Sequence, residues 1–214
     1  MQAVIFDMDG VVLDTERLLK VAWIAVAKEE GLPHIEDLFG ITMGCRDDEI
    51  SEVFQERYGY SDFPKFHQLT YDYALARVPG GVIPLRDGAR ELLEELKARH
   101  IPIGLASATM REKVERELRE VDALSYFDTI WTGDMVERCK PDPALFLGAC
   151  RDLGVDPAET YGIEDGPKGV RAIHAAGMRA ILAEDQYHPD EEIAGMCEVV
   201  LPSMQEVHRY LLGK

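Results

Sequence analysis

Six short apolar runs punctuate this sequence: AVIF (3–6), IPIGLAS (101–107), FDTIWTG (127–133), TYGIED (160–165), RAILA (179–183) and EVVLP (198–202). Between them lie amphipathic segments such as GARELLEELKAR (88–99), with leucines at 92, 93 and 96, and REKVERELREVDAL (111–124). Runs of strand length alternating with segments of helical period imply parallel strands joined by helical crossovers that cover both faces of a sheet. The expected fold is α/β, with a doubly wound parallel-sheet core of Rossmann-like form. Ligands of such sheets bind beyond the carboxyl ends of the strands, where strand order reverses. The residues just after each run are therefore the candidates for chemistry.

One region breaks the alternation. Residues 15 to about 80 offer helical patterns (LLKVAWIAVAKEE, DDEISEVFQERYG, FHQLTYDYALARV) and no strand, and they close on PGGVIP, a composition suited to a hinge. The expected organisation is a core formed by residues 1–14 and 81–214, with a helical cap, residues 15–80, inserted after the first strand. A cap hung over the strand ends would exclude water and select substrate. Trp23 and the other aromatics of the insertion are expected to form its core. Asp14 and Thr15, just ahead of the first helical run, are expected to act as its N-cap.

The 214 residues, 46% hydrophobic, suffice for one large domain carrying a smaller insertion. A formal charge of −17 opposes approach to nucleic acid and to anionic lipid, so neither is an expected partner. Four cysteines, Cys45, Cys139, Cys150 and Cys197, form no CxxC pair, which disfavours a zinc knuckle or a disulfide framework. With no run of the roughly 20 apolar residues a membrane span needs and no basic leader, the expected compartment is the cytoplasm. Nothing marks an oligomeric state, and a monomer is compatible with the pattern.

The run ends carry DMDG (7–10), ASAT (106–109), Lys140 in CKPDP, and IEDG (163–166). Asp7 and Asp9 close to Glu164 and Asp165, with no histidine or cysteine, make an oxygen-only donor set of the kind Mg²⁺ prefers. A calcium loop does not fit, because Gly10 stands fourth and Val11 fifth from Asp7. Phosphoryl transfer would use every part. Asp7 would attack phosphorus to form an aspartyl-phosphate, and Asp9 would protonate the departing alcohol and then deprotonate water. Ser107 and the Ala108 amide would bind phosphoryl oxygens, and Lys140 would add positive charge.

In order along the chain, DMDGVVLDTE, the serine of GLASAT, the lysine of CKPD and the acid pair of GIEDGPKGVRAIHAAG resemble the motifs of the haloacid dehalogenase superfamily, in the branch with an α-helical cap after the first strand. The resemblance covers the whole chain. It implies a Mg²⁺-dependent phosphatase acting on a small phosphorylated metabolite, a sugar phosphate or nucleotide-like compound. Asp7 would be the nucleophile and Asp9 the general acid and base, with Ser107 and Lys140 on the phosphoryl group. The metal site would comprise the Asp7 carboxylate, the Asp9 carbonyl, Asp165 and Glu164.

The pattern is most similar to β-phosphoglucomutase and small phosphatases. The mutase carries a histidine in its first cap helix, in a DTAEYH context, whereas DTERLL here places Leu19 at that position, which shifts weight from mutase to hydrolase. A non-enzymatic receiver domain also gathers acids, a hydroxyl and a lysine at strand ends, but it is shorter and lacks the insertion. Arg46, in MGCRDDE, is expected either to reach an anionic substrate or to pair with Asp47 or Glu49. Cys139 is expected to be a small packed residue, and the six histidines, which show no metal-type spacing, to be structural or superficial.

Overall fold

The computed structural model describes residues 1–42 and 45–213. Six parallel strands, β1 (Ala3–Phe6), β2 (Ile103–Ala106), β3 (Thr129–Trp131), β4 (Thr160–Glu164), β5 (Arg179–Ala183) and β6 (Val199–Leu201), form one sheet in the order β3-β2-β1-β4-β5-β6. The alternation in sequence is thus an alternation in space. The chain winds outward from β1 to β3 on one side and from β4 to β6 on the other, so strand order reverses between β1 and β4. Register pairs Phe6 with both Leu105 and Ile163, which brings Asp7, Ala106 and Glu164 to one level at the carboxyl edge.

The twofold alternation of β1 sorts its side chains between two apolar layers. Val4 and Phe6 join Leu92, Leu93, Leu96, Leu118 and Val207 on the face covered by α5 (Ala89–Ala98), α6 (Arg111–Glu120) and α10 (Met204–Leu212). Ile5 joins Phe146, Ala149 and Ile173 under α7 (Ala144–Leu153) and α8 (Pro167–Ala175). The pattern read over 111–124 ends early: α6 stops at Glu120, because Asp122 takes φ 53, a left-handed conformation that breaks the helical ladder. The short helix α9 (Glu191–Met196) completes the core layer.

Four helices follow β1: α1 (Thr15–Glu30), α2 (Ile35–Thr42), α3 (Asp47–Tyr58) and α4 (Phe63–Leu75). They share a separate core centred on Trp23, whose ring meets Phe39, Phe54 and Phe66 edge-on at 5.2, 5.5 and 5.4 Å between centroids. The chain passes into and out of these helices through two strings that pair with each other. The Asp14 amide donates to Pro84 O (3.0 Å) and the Arg86 amide to Val12 O (2.9 Å). The turn at Pro79–Gly81 holds Gly80 and Gly81 at φ 72 and 67, which the paired glycines allow.

The capping expectation at Asp14 and Thr15 is corrected. The Asp14 carboxylate makes no cap bond and pairs with Arg17 one turn on, while the buried Thr15 hydroxyl accepts the Gly10 amide at 3.0 Å. With ψ at 51 the Asp14 backbone lies outside the extended range usual for a capping residue. No helix among the described residues is long and apolar enough to cross a membrane.

Candidate active site

Asp7 is the first residue past β1, Lys140 lies in the loop between β3 and α7, Glu164 ends β4 and Asp165 is the first residue past it. All four are buried, Lys140 being 2% and Asp7 6% exposed. The Lys140 ammonium donates to Asp7 Oδ1 and, at 2.7 Å, to Glu164 Oε1. The second oxygen of Glu164 accepts the amides of Asp165 and Gly166, both at 2.8 Å, so this carboxylate ties Lys140 to the turn that starts α8. Gly169 is what allows that: a Cβ there would stand 1.8 Å from Glu164 Oε1.

Gly10 serves the first loop in the same way. At φ 73 it takes a conformation that disfavours side chains, and a Cβ would fall 2.0 Å from Asp165 Oδ2. The loop is braced from outside by Thr15 and by half-buried Arg86, whose guanidinium donates to the carbonyls of Gly10 and Glu184 and, at 3.3 Å, of Ala183.

Asp7, Asp9, Ala108, Lys140, Glu164 and Asp165 line one cavity between the strand ends and the helices α1–α4. Ser107 is set apart from them. It is fully buried, and its hydroxyl accepts the Thr109 amide at 3.1 Å beneath the loop. Thr109 lines the cavity, and its hydroxyl donates to Asp9 Oδ2 at 3.1 Å. The helical side contributes Leu19, Trp23, Phe39, Phe63 and, as polar groups, Glu16, Asp47 and His67. Arg46 turns instead to Asp48, two residues on, with Nε to Oδ1 at 2.9 Å. Its alternatives at Asp47 and Glu49 give way because the Asp48 carboxylate meets the guanidinium side-on through two bonds.

Burial pushes Asp7 up to about 8, with Glu164 and Asp9 adding to the rise and Lys140 opposing it. Burial, then Glu164, Glu16 and Asp7, also raises Asp165. Burial works against the Lys140 charge too, but Asp7 and Glu164 outweigh it and raise the ammonium. With its carboxyls ionised in this buried site the cluster would carry more negative charge than one lysine balances, which is why the acids hold their protons more tightly. Asp7, Glu164 and Asp165 each bring an oxygen within 4.8 Å of the others, and Asp165 Oδ2 is buried without a hydrogen-bond partner among the described residues. An orphaned carboxylate oxygen in an all-oxygen set fits a hard divalent cation.

Thr109, Gly169, Arg86 and His67 were not singled out from the sequence. Thr109 stands two residues after the strand-end serine and Gly169 three after Gly166, so both lay within motifs whose emphasis fell elsewhere. Arg86 and His67 carried no local signal.

The family model described as haloacid dehalogenase-like hydrolase matches residues 4–183. A phosphorylated carbohydrates phosphatase of Thermotoga maritima is 35% identical over 85% of this chain and 84% of its own length. A β-phosphoglucomutase of Bacillus subtilis is 32% identical over 85% of this chain and 82% of its own. Among solved structures, CbbY from Rhodobacter sphaeroides in complex with phosphate superimposes with a TM-score of 0.76 at 29% identity, covering 97% of this chain and 96% of that one.

Proposed function

The chain belongs to the haloacid dehalogenase-like hydrolases, and from that premise we propose that it is a Mg²⁺-dependent phosphatase of small sugar phosphates, working through an aspartyl-phosphate in the cytoplasm. Residues 1–14 and 81–214 act as the catalytic core and residues 15–80 as the cap. The observation that carries this reading is the buried meeting of Asp7, Lys140, Glu164 and Asp165 at the reversal of strand order, with one Asp165 oxygen left unpartnered among the described residues.

Lys140 binds one oxygen of Asp7 and leaves the other for attack on phosphorus. The bond from phosphorus to the ester oxygen breaks as Asp9 gives that oxygen a proton. Thr109 holds the Asp9 carboxylate for this transfer. Asp9 then takes a proton from water, which attacks the aspartyl-phosphate and returns Asp7 as a carboxylate with release of inorganic phosphate. The Ala108 amide and Lys140 stabilise the phosphoryl oxygens, and the fully buried Ser107 hydroxyl holds the loop that carries them by accepting the Thr109 amide. Asp7, Asp165 and the Asp9 carbonyl, with Glu164 beside them, would hold Mg²⁺, which supplies the positive charge that lets a phosphoester approach this acid cluster. The Asp7→Asn variant is expected to lose phosphate release from sugar phosphates by at least about 10³-fold, and EDTA to abolish it in the native protein. Retained turnover in Asp7→Asn would overturn the assignment.

The mutase reading is favoured by the likeness to β-phosphoglucomutase. Leu19 lines the cavity where that enzyme's pattern has histidine, which supports water as the acceptor. NMR of a hexose 1-phosphate incubation separates the two: a 6-phosphate accumulates under the mutase reading and free phosphate under ours.

A further inference from the structure

Of the polar side chains that the cap side brings to the cavity, Glu16, Asp47 and His67, the histidine is the one whose ring can both donate and accept, and the proposed chemistry does not employ it. His67 lies in mid α4, one turn from Phe63 and one from Tyr71, and its ring packs between theirs at 5.9 and 5.8 Å between centroids. Both neighbours are anchored. Phe63 is buried in the aromatic core, and the Tyr71 hydroxyl donates to the buried Glu117 carboxylate of α6, across the boundary between cap and core. The imidazole between them is fixed on the helix face that lines the cavity with Asp9, Thr109 and Lys113.

No hydrogen bond reaches either ring nitrogen of His67 among the described residues, whereas His188 and His208 pair with Glu184 and Glu95. No other histidine among them lines the cavity. Burial and then the Lys113 ammonium lower the imidazole's proton affinity, against Asp47 and Asp9. The neutral ring therefore offers one donor and one acceptor, the complement of an alcohol. Arg46, held by Asp48, and Arg111, held by Glu115 and the Ile130 carbonyl, do not line the cavity, and Lys113, which does, lies over the Tyr71 ring at 4.5 Å and pairs with Glu117 at 3.9 Å.

Resting on the phosphatase reading, the geometry points to His67 as a specificity-determining residue that exchanges a hydrogen bond with a hydroxyl of a polyol monophosphate, on the part of the substrate beyond the ester oxygen. It reads the leaving group and leaves the phosphoryl group to the strand ends.

The test compares sorbitol 6-phosphate and glucose 6-phosphate with p-nitrophenyl phosphate, which has no hydroxyl to read. His67→Phe keeps an aromatic ring in the stack but, in a larger ring, removes both nitrogens, and His67→Gln restores a donor and an acceptor. The ratio of kcat/KM for a polyol phosphate to that for p-nitrophenyl phosphate is expected to fall about 10- to 100-fold in His67→Phe and to recover in part in His67→Gln. An unchanged ratio in His67→Phe, or a native enzyme with no preference for the polyol phosphates, overturns the inference. Absence of metal-dependent turnover on every ester overturns the phosphatase reading instead. In that event calorimetric binding decides the role of His67: sorbitol 6-phosphate should bind His67→Phe about tenfold more weakly relative to inorganic phosphate, and equal losses for both refute it.

Discussion

The sheet and the four helices after β1 bury their interiors by different means. The sheet packs aliphatic chains in two layers, and its charged groups gather at one edge, where Lys140 and Glu164 are satisfied several times over. The helices pack around one tryptophan and turn polar groups toward the cavity, among them His67, whose ring has no hydrogen-bonded partner among the described residues. The bonded part of the sheet edge is rigid, as chemistry on phosphorus requires, whereas unmet donors and acceptors, Asp165 Oδ2 at that edge and the His67 ring across the cavity, are available to a ligand. Rigid chemistry beside an unsatisfied reading surface is how one phosphoryl site can serve many esters.

That contrast can be broken by substitution. Removing the hub of the helical core in Trp23→Ala is expected to cost about 3 to 5 kcal/mol, roughly 6 to 20 °C in melting temperature, with proteolysis appearing first within residues 15–80. Cleavage appearing first in the sheet would show that the two interiors are not separate units. Gly169→Ala forces a Cβ into Glu164 and is expected to cost roughly 1 to 3 kcal/mol of stability and about 10²-fold in turnover on every ester alike, read by melting and phosphate release. A change in preference among esters would place specificity in the core.

The smallest expected effect lies at the boundary. Burial lifts the Glu117 carboxyl to about 7, Asp9 adding to the rise and Lys113, Tyr71 and Arg116 opposing it, while the unfolded chain releases this proton near 4.5. Between those values the folded protein holds the extra proton, so stability falls as pH rises and the loss is complete above about 7. The loss is on the order of 1 to 3 kcal/mol, and urea unfolding of Glu117→Gln should show the slope over that interval flattened. An unchanged slope would assign the pH dependence to other groups.

The six apolar runs became the six strands with at most a few residues trimmed from either end, because parallel strands buried on both faces must be continuously apolar. The acids and the lysine stood out because strand-end positions follow from where those runs stop. Ser107 was legible as a strand-end hydroxyl, but its burial beneath its own loop was not, since that depends on how residues 107–109 turn. Asp14 is the same kind of case: a residue suited to capping found Arg17 within reach and a backbone angle that took its carboxylate elsewhere.

What the sequence determined by itself is the sheet, the site of the helical insertion and the acids and lysine at the strand ends, all properties of residues near one another in the chain. Only the tertiary structure decided which polar groups are left without partners. Arg86 reaches Gly10 over 76 residues, Thr109 reaches Asp9 over 100, and His67 meets the cavity because α4 lies across it. Hydrogen-bond satisfaction is a property of the packed chain: each group competes for partners brought close by folding, and which groups stay unpaired among the described residues, Asp165 Oδ2 and the His67 ring among them, is fixed only when the others have been paired.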